Sequence, residues 1–169
     1  MKIICITGTP GTGKTTFAKN ISDKLGFPVL DVKRFIEEKK LSDAYDRKMK
    51  CYVVDIKKLN KEIINEINNI KKSQNPCGVI VDSHLSHYLP MGYVDLCIVT
   101  KCNLKVIEKR LKKRKYSQAK IKDNLECEIF NVCLEEAREK KHTILVIETT
   151  KAINMSKVIP NIKKTLKLK

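Results

Sequence analysis

Apolar residues recur along this chain in two rhythms, and the switching between them predicts the fold. Ile3-Ile4-Cys5-Ile6 is a short continuous apolar run rich in β-branched residues, the mark of a buried strand. Phe17, Ile21 and Leu25 then fall four apart, as on one face of a helix. Gly26 and Pro28 end that helix, and Val29-Leu30 reads as a short second strand. Asp31 opens a helical stretch from Val32 to about Lys40. Leu59, Ile63, Ile64, Ile67 and Ile70 mark an amphipathic helix that stops at Ser73-Gln74-Asn75-Pro76. Gly78 to Asp82 and Asp95 to Val99 are further apolar strands, and Leu104, Ile107 and Leu111 place a helix on the latter. Ser117 caps a long helix predicted to run to about Lys140. Its apolar side would carry Ile121, Leu125, Ile129, Val132 and Ala137, with Glu126, Glu128, Glu135 and Glu136 on acidic faces. Thr143 to Ile147 is the last strand, and Met155, Val158, Ile159, Ile162 and Leu166 pattern a final helix. Five strands alternating with helices predict an α/β fold, a parallel sheet covered on both faces in three layers.

Between the first strand and the first helix lies Gly8-Thr9-Pro10-Gly11-Thr12-Gly13-Lys14-Thr15, which fills every fixed position of the P-loop pattern. Strand, glycine loop and helix is the context that motif needs. The loop N–H groups and the positive end of the helix then form a cradle for a polyphosphate. Gly11, Gly13, Lys14, Thr15 and Thr16 are therefore the candidate ATP-binding residues. Lys14 would reach the β- and γ-phosphates, and Thr15 would place its hydroxyl on Mg²⁺. Asp82 ends an apolar strand, where P-loop proteins use a carboxylate to hold Mg²⁺ or its water shell. His84, two residues on, is either structural or a direct partner of the γ-phosphate. Arg110 and Arg114 fall four apart in the basic run Lys109 to Lys115. They read as a solvated basic face, an RNA patch or a lid that clamps phosphate. Residues 41 to 55 are irregular and charged, too long for a plain connection, and read as a docked, mobile substrate-binding insert.

Composition narrows the picture further. At 169 residues the whole chain, 1–169, is expected to form one domain. No apolar run reaches the length of a membrane span, and the P-loop strand starting at residue 3 leaves no room for a signal peptide. An intracellular, non-membrane protein is the expectation. The seven cysteines include no C-x-x-C pair, so neither zinc nor disulfides are expected. The net charge is +16, and 30 of the 35 basic residues are lysine. That field suits nucleic acid, although a lysine-rich genome would produce the same bias.

The stretch Ile6-Thr7-Gly8-Thr9-Pro10-Gly11-Thr12-Gly13-Lys14-Thr15-Thr16, then Val81-Asp82-Ser83-His84, then Arg110-Leu111 through Arg114-Lys115-Tyr116, then Lys120 to Phe130 resembles the adenylate kinase isoenzyme 6 family. The resemblance runs from residue 3 to about residue 147 and implies a P-loop NTPase fold of the nucleoside monophosphate kinase type. The five parallel strands would then take the order 2-3-1-4-5. It implies a broad-specificity nucleoside monophosphate kinase that converts ATP and AMP into two ADP, with ATPase activity and Mg²⁺ as metal. It also implies a role in maturing the small ribosomal subunit, through ribosomal protein uS11 and the small-subunit rRNA precursor. The monophosphate-binding insert would span about 31–54 and the lid about 113–123. Arg114 matches the lid arginine that contacts ATP, so Lys14, Asp82, His84 and Arg114 form the expected catalytic set. A monomer or weak dimer is expected, in the cytoplasm, or also the nucleus of a eukaryote. One departure stands out: the family often has Arg-Gly-Tyr where this chain has Arg114-Lys115-Tyr116, and the extra side chain is expected to stiffen the lid. Few arginines remain for two nucleotides, so an ATP-driven assembly factor with little kinase turnover, or a kinase of another small acceptor, stays open.

Overall fold

The computed structural model describes residues 1–47, 49 and 51–168; Lys48 and Lys50, inside the expected insert, and Lys169 lie outside the described residues. Along the chain come β1 (Lys2–Thr7), α1 (Lys14–Leu25), β2 (Val29–Asp31), α2 (Val32–Lys39), β3 (Ala44–Asp46), β4 (Cys51–Val53), α3 (Ile56–Gln74), β5 (Gly78–Asp82), β6 (Leu96–Lys101), α4 (Leu104–Lys113), α5 (Gln118–Ile129), α6 (Val132–Glu139), β7 (Ile144–Glu148) and α7 (Met155–Leu166). Five strands form one sheet in the order β2-β5-β1-β6-β7, which is the 2-3-1-4-5 arrangement counted over the sheet strands. Every pairing in it is parallel. Strands β1, β5 and β6 are buried along almost their whole length because helices cover both faces, which is why they read as unbroken apolar runs.

The period of two along a strand splits the core into two layers. Ile3, Cys5, Val79, Val81, Cys97 and Val99 point to one face and pack with Val32 and Phe35 of α2 and Leu59, Ile63 and Ile67 of α3. Ile4, Ile6, Ile80, Leu96 and Ile98 point to the other and meet Phe17, Ala18 and Ile21 of α1 and Ile162 and Leu166 of α7. A third, smaller cluster joins α4 to α5 through Ile107, Leu111 and Ile121. No helix among the described residues is long and apolar enough to cross a membrane.

Two expectations from the sequence are corrected here. Within residues 41 to 55, Ala44–Asp46 and Cys51–Val53 are regular: β3 and β4 pair as an antiparallel hairpin, with Tyr45 opposite Tyr52. Both rings are exposed and meet edge to face at 5.4 Å, while Leu41 and Val54 near the two ends of the segment pack against the core. The long helix predicted from Ser117 to Lys140 is two helices. Asn131 takes a left-handed backbone, φ 54°, which asparagine tolerates better than most residues, and the chain turns there. The turn also shifts the buried face of α5, which carries Ile121, Asn124 and Glu128, while Ile129 lies 54% exposed.

Candidate active site

The loop between β1 and α1 is bent by three glycines with positive φ, Gly8, Gly11 and Gly13. Gly8 is the tightest of them: a Cβ there would lie 2.5 Å from the Thr100 carbonyl oxygen, so no other residue fits between loop and sheet. The helix that follows has Gly13 at its cap, which makes no side-chain hydrogen bond to the first N–H groups. Those groups and the helix dipole face the loop and favour an anion.

Side chains far away in sequence brace the loop. Thr12 Oγ1 donates to the Thr9 carbonyl at 2.8 Å and meets Thr100 Oγ1 at 2.7 Å. Thr149 Oγ1, just past β7, donates to the Thr12 carbonyl. Arg110 of α4 donates to the Gly11 carbonyl at 2.9 Å and to the Thr149 carbonyl at 3.3 Å. Arg110 is therefore a brace of the loop backbone in this structure, not the free phosphate clamp that its spacing from Arg114 suggested. Thr9 Oγ1 donates to Glu128 Oε2 at 2.6 Å. The other oxygen of Glu128 pairs with Lys101 Nζ at 2.8 Å and accepts from the Cys102 N–H at 3.1 Å. Glu128 is thus a buried, fully bonded carboxylate rather than part of a solvated acidic face. A signal was available: 121, 124 and 128 share one helix face, so a glutamate stood on the stripe with Ile121.

Lys14 folds over the loop and donates to the Gly8 carbonyl at 2.7 Å and the Thr9 carbonyl at 3.1 Å. Burial pushes its pKa down to about 8, with the nearby Arg114 charge acting the same way and Cys133, Asp82 and Glu128 opposing. Thr15 hydrogen-bonds the Asp82 carboxylate. Asp82 is buried at the end of β5, directly beside Ile6 of β1. Burial raises its pKa, while the Thr15 bond and the Lys14 charge pull it down. Thr16 is exposed on the first turn of α1, and Arg114 is exposed where α4 ends. Among the described residues no group of three or more His, Cys, Asp or Glu side chains could hold a metal ion alone. The pair Thr15 and Asp82 fits a Mg²⁺ ion whose remaining ligands come from phosphate and water, which is the usual donor set beside a P-loop.

His84 is exposed to solvent. The protein packed against its inner side and then the Lys14 charge push its pKa down to about 4, so the ring is neutral at pH 7. Beneath it His87 is buried, with Nδ1 2.6 Å from Thr7 Oγ1 and Nε2 2.9 Å from Glu136 Oε2. Tyr88 donates to the other Glu136 oxygen at 2.7 Å. This network ties the turn after β5 to the end of β1 and to α6; the sequence pattern places Glu136 on an acidic face and assigns Thr7, His87 and Tyr88 no role.

The sequence matches the family described as AAA domain over residues 4–131. A Methanocaldococcus jannaschii protein named "Putative adenylate kinase" is 41% identical over 83% of this chain and 75% of its own length. The "Adenylate kinase isoenzyme 6 homolog" of Caenorhabditis elegans is 37% identical over 86% of this chain and 77% of its own. A solved shikimate kinase from Acinetobacter baumannii superposes with a TM-score of 0.63 at 15% identity, over 100% of this chain and 96% of that one, a likeness of fold alone. Identity at this level, spread over most of both chains, places the protein in the adenylate kinase isoenzyme 6 family.

Proposed function

We propose that this chain is a nucleoside monophosphate kinase that moves the terminal phosphoryl group of ATP to AMP or a related monophosphate, and that it also hydrolyses ATP. The observation that carries the reading is that Lys14 and Thr15, at the start of α1, lie beside Asp82, which ends β5 next to β1. Lys14, now bonded to two loop carbonyls, would exchange them for β- and γ-phosphate oxygens. Thr15 and Asp82 would hold Mg²⁺, which neutralises charge that develops on the transferring group. Arg114, exposed at the cleft, would add a second cation on the donor side. The neutral ring of His84 would orient an attacking water or steady the γ-phosphate. The insert 31–54, with its hairpin, would receive the acceptor, and residues 113–123 would act as lid. By family resemblance the setting is maturation of the small ribosomal subunit, with uS11 and the rRNA precursor as partners.

One observation favours a second reading. Arg110 is spent on bracing the loop, so the cleft has few arginines left for two nucleotides. ATP hydrolysis that switches an assembly contact, with slow phosphoryl transfer, fits that economy. A product assay with ATP alone, and then with each nucleoside monophosphate, separates the two. ADP formed in excess over inorganic phosphate on adding AMP supports the kinase. Phosphate release that no monophosphate diverts supports the switch. Lys14→Ala should abolish either activity, and turnover like that of the wild type in that variant would remove the assigned nucleotide site.

A further inference from the structure

Lys120 belongs to the lid side of the cleft but bonds to the other side. It stands in the first turn of α5, whose cap is Ser117. Its Nζ donates to the backbone carbonyl of Met49, in the turn between β3 and β4. The same ammonium lies 4.4 Å from the centre of the Tyr116 ring. Tyr116 in turn packs on the Leu111 cluster, and its N–H donates to the Leu111 carbonyl, so the ring under the cation is held in place. Asn124 donates to the Lys120 carbonyl at 2.6 Å and fixes the backbone that carries the side chain. One flexible cation therefore ties the lid to the hairpin of the insert.

The His84 ring feels positive charge from both Lys14 and, less, Lys120, so both ammonium groups lie within electrostatic reach of it. A carbonyl is a neutral acceptor and binds an ammonium less strongly than a phosphate does. Lysine has three donors on a long stem and can change partners without moving the backbone. Arg34, the arginine of α2, is engaged with Glu38 at 2.6 Å. Arg110 is engaged with the loop.

We propose that Lys120 is the cation that receives the phosphate of the acceptor: when a nucleoside monophosphate enters, the Lys120 ammonium leaves the Met49 carbonyl for phosphate oxygens while staying on the Tyr116 ring. The proposal rests on the kinase reading above and names the acceptor as a phosphate monoester. The bridge from lid to hairpin is then rebuilt through the ligand, so the cleft closes firmly only when the right anion is present.

The test uses calorimetric binding of AMP and of adenosine without ATP, then steady-state kinetics, on the wild type, Lys120→Ala and Lys120→Arg, each with its melting temperature. For Lys120→Ala, AMP binding should weaken and the KM for AMP should rise by about tenfold or more, the usual effect of losing a charged hydrogen bond. Adenosine binding should not change, the KM for ATP should stay within about twofold, and Lys120→Arg should restore most of the AMP affinity. Equal losses for AMP and adenosine would make Lys120 a structural tie. A rise in the KM for ATP with AMP unaffected would place it on the donor side, and no change in either would remove it from the site; each result overturns the proposal. A wild-type protein that neither binds nor phosphorylates any monophosphate would overturn the kinase reading, and the proposal with it, whereas ADP formation unaffected by Lys120→Ala overturns the proposal alone.

Discussion

Lys14 sits where its charge is costly until a ligand arrives. Its pKa falls from 10.5 to about 8, mainly through burial. Between those values the unfolded chain holds the proton and the folded chain does not, so this residue's contribution to stability rises with pH across that window. Nucleotide binding runs the other way, because a polyphosphate needs the ammonium form. ATP binding at pH 9 should therefore take up a proton, and binding at pH 7 should not. Calorimetry in two buffers of different ionisation heat measures the uptake, and an identical uptake at both pH values would contradict the low pKa. Asp82 and His84 divide in the same way by chemistry. If the Asp82 carboxylate holds Mg²⁺ as proposed, Asp82→Ala should lose hydrolysis and AMP phosphorylation together. The imidazole is neutral at pH 7, and water needs positioning more than AMP, which brings its own nucleophilic oxygen. His84→Ala should thus reduce hydrolysis more than phosphorylation on the same preparation. Hydrolysis by the wild type should show no step near the ordinary histidine value of 6.5 and should decline only as pH falls toward 4. Equal losses in the two rates would make His84 a general phosphate ligand, and none would make it structural.

At the scale of elements, the ends of the helices carry the chain's lysine bias. After α4, Lys115 takes φ 57°, Lys115 N–H donates to the Lys112 carbonyl, and Tyr116 N–H to the Leu111 carbonyl. That is a Schellman ending, whose left-handed position is usually glycine. The family's frequent Arg-Gly-Tyr and this chain's Arg-Lys-Tyr therefore reach the same turn. Lys141 and Lys167 repeat the device after α6 and α7, with φ 59° and 54°. A side chain in this conformation costs roughly 1–2 kcal/mol. Lys141→Gly, far from the P-loop in sequence, should stabilise by about 1 kcal/mol, which raises the melting temperature by about 2–4 °C in a chain of this size. A lower melting temperature would mean that the stem of Lys141 contributes packing instead. Elements were largely legible in the sequence because a strand buried on both faces or a helix on a sheet leaves its period in the apolar residues. The break at Asn131 was not, since Val132 and Ala137 continue a helical rhythm across it. Glu128 was misread for the same reason: pattern reading assigns charges to solvent, and this one is buried among its partners.

Across the whole molecule, what the sequence shows of the site is the part carried by neighbours in the chain. Lys14 and Thr15 come with the P-loop, and Asp82 comes with the end of a strand. The braces join residues as far apart as Thr9 and Glu128, or Gly11 and Arg110, and no spacing reveals them before the chain is folded. Net charge is legible at once, but its purpose is not. Cations line α3, α4, α5 and α7 alike, and several are paired one turn away, as Lys112 with Glu108 and Lys122 with Glu126. Such pairs on exposed helices contribute little to stability and leave the excess of +16 to repel itself. Added salt screens that repulsion, so the melting temperature should rise with moderate salt whatever the charge is for. Binding of RNA separates the two explanations, because phosphates neutralised by lysine release counterions. If the charge serves rRNA, affinity for a single-stranded RNA should fall by at least about tenfold between roughly 50 and 200 mM salt, with a slope set by the number of phosphates engaged. Fluorescence anisotropy at several salt concentrations measures that slope directly. No binding at low salt, or binding that salt leaves unchanged, would mean that the lysines reflect composition and that any ribosomal contact is made through protein.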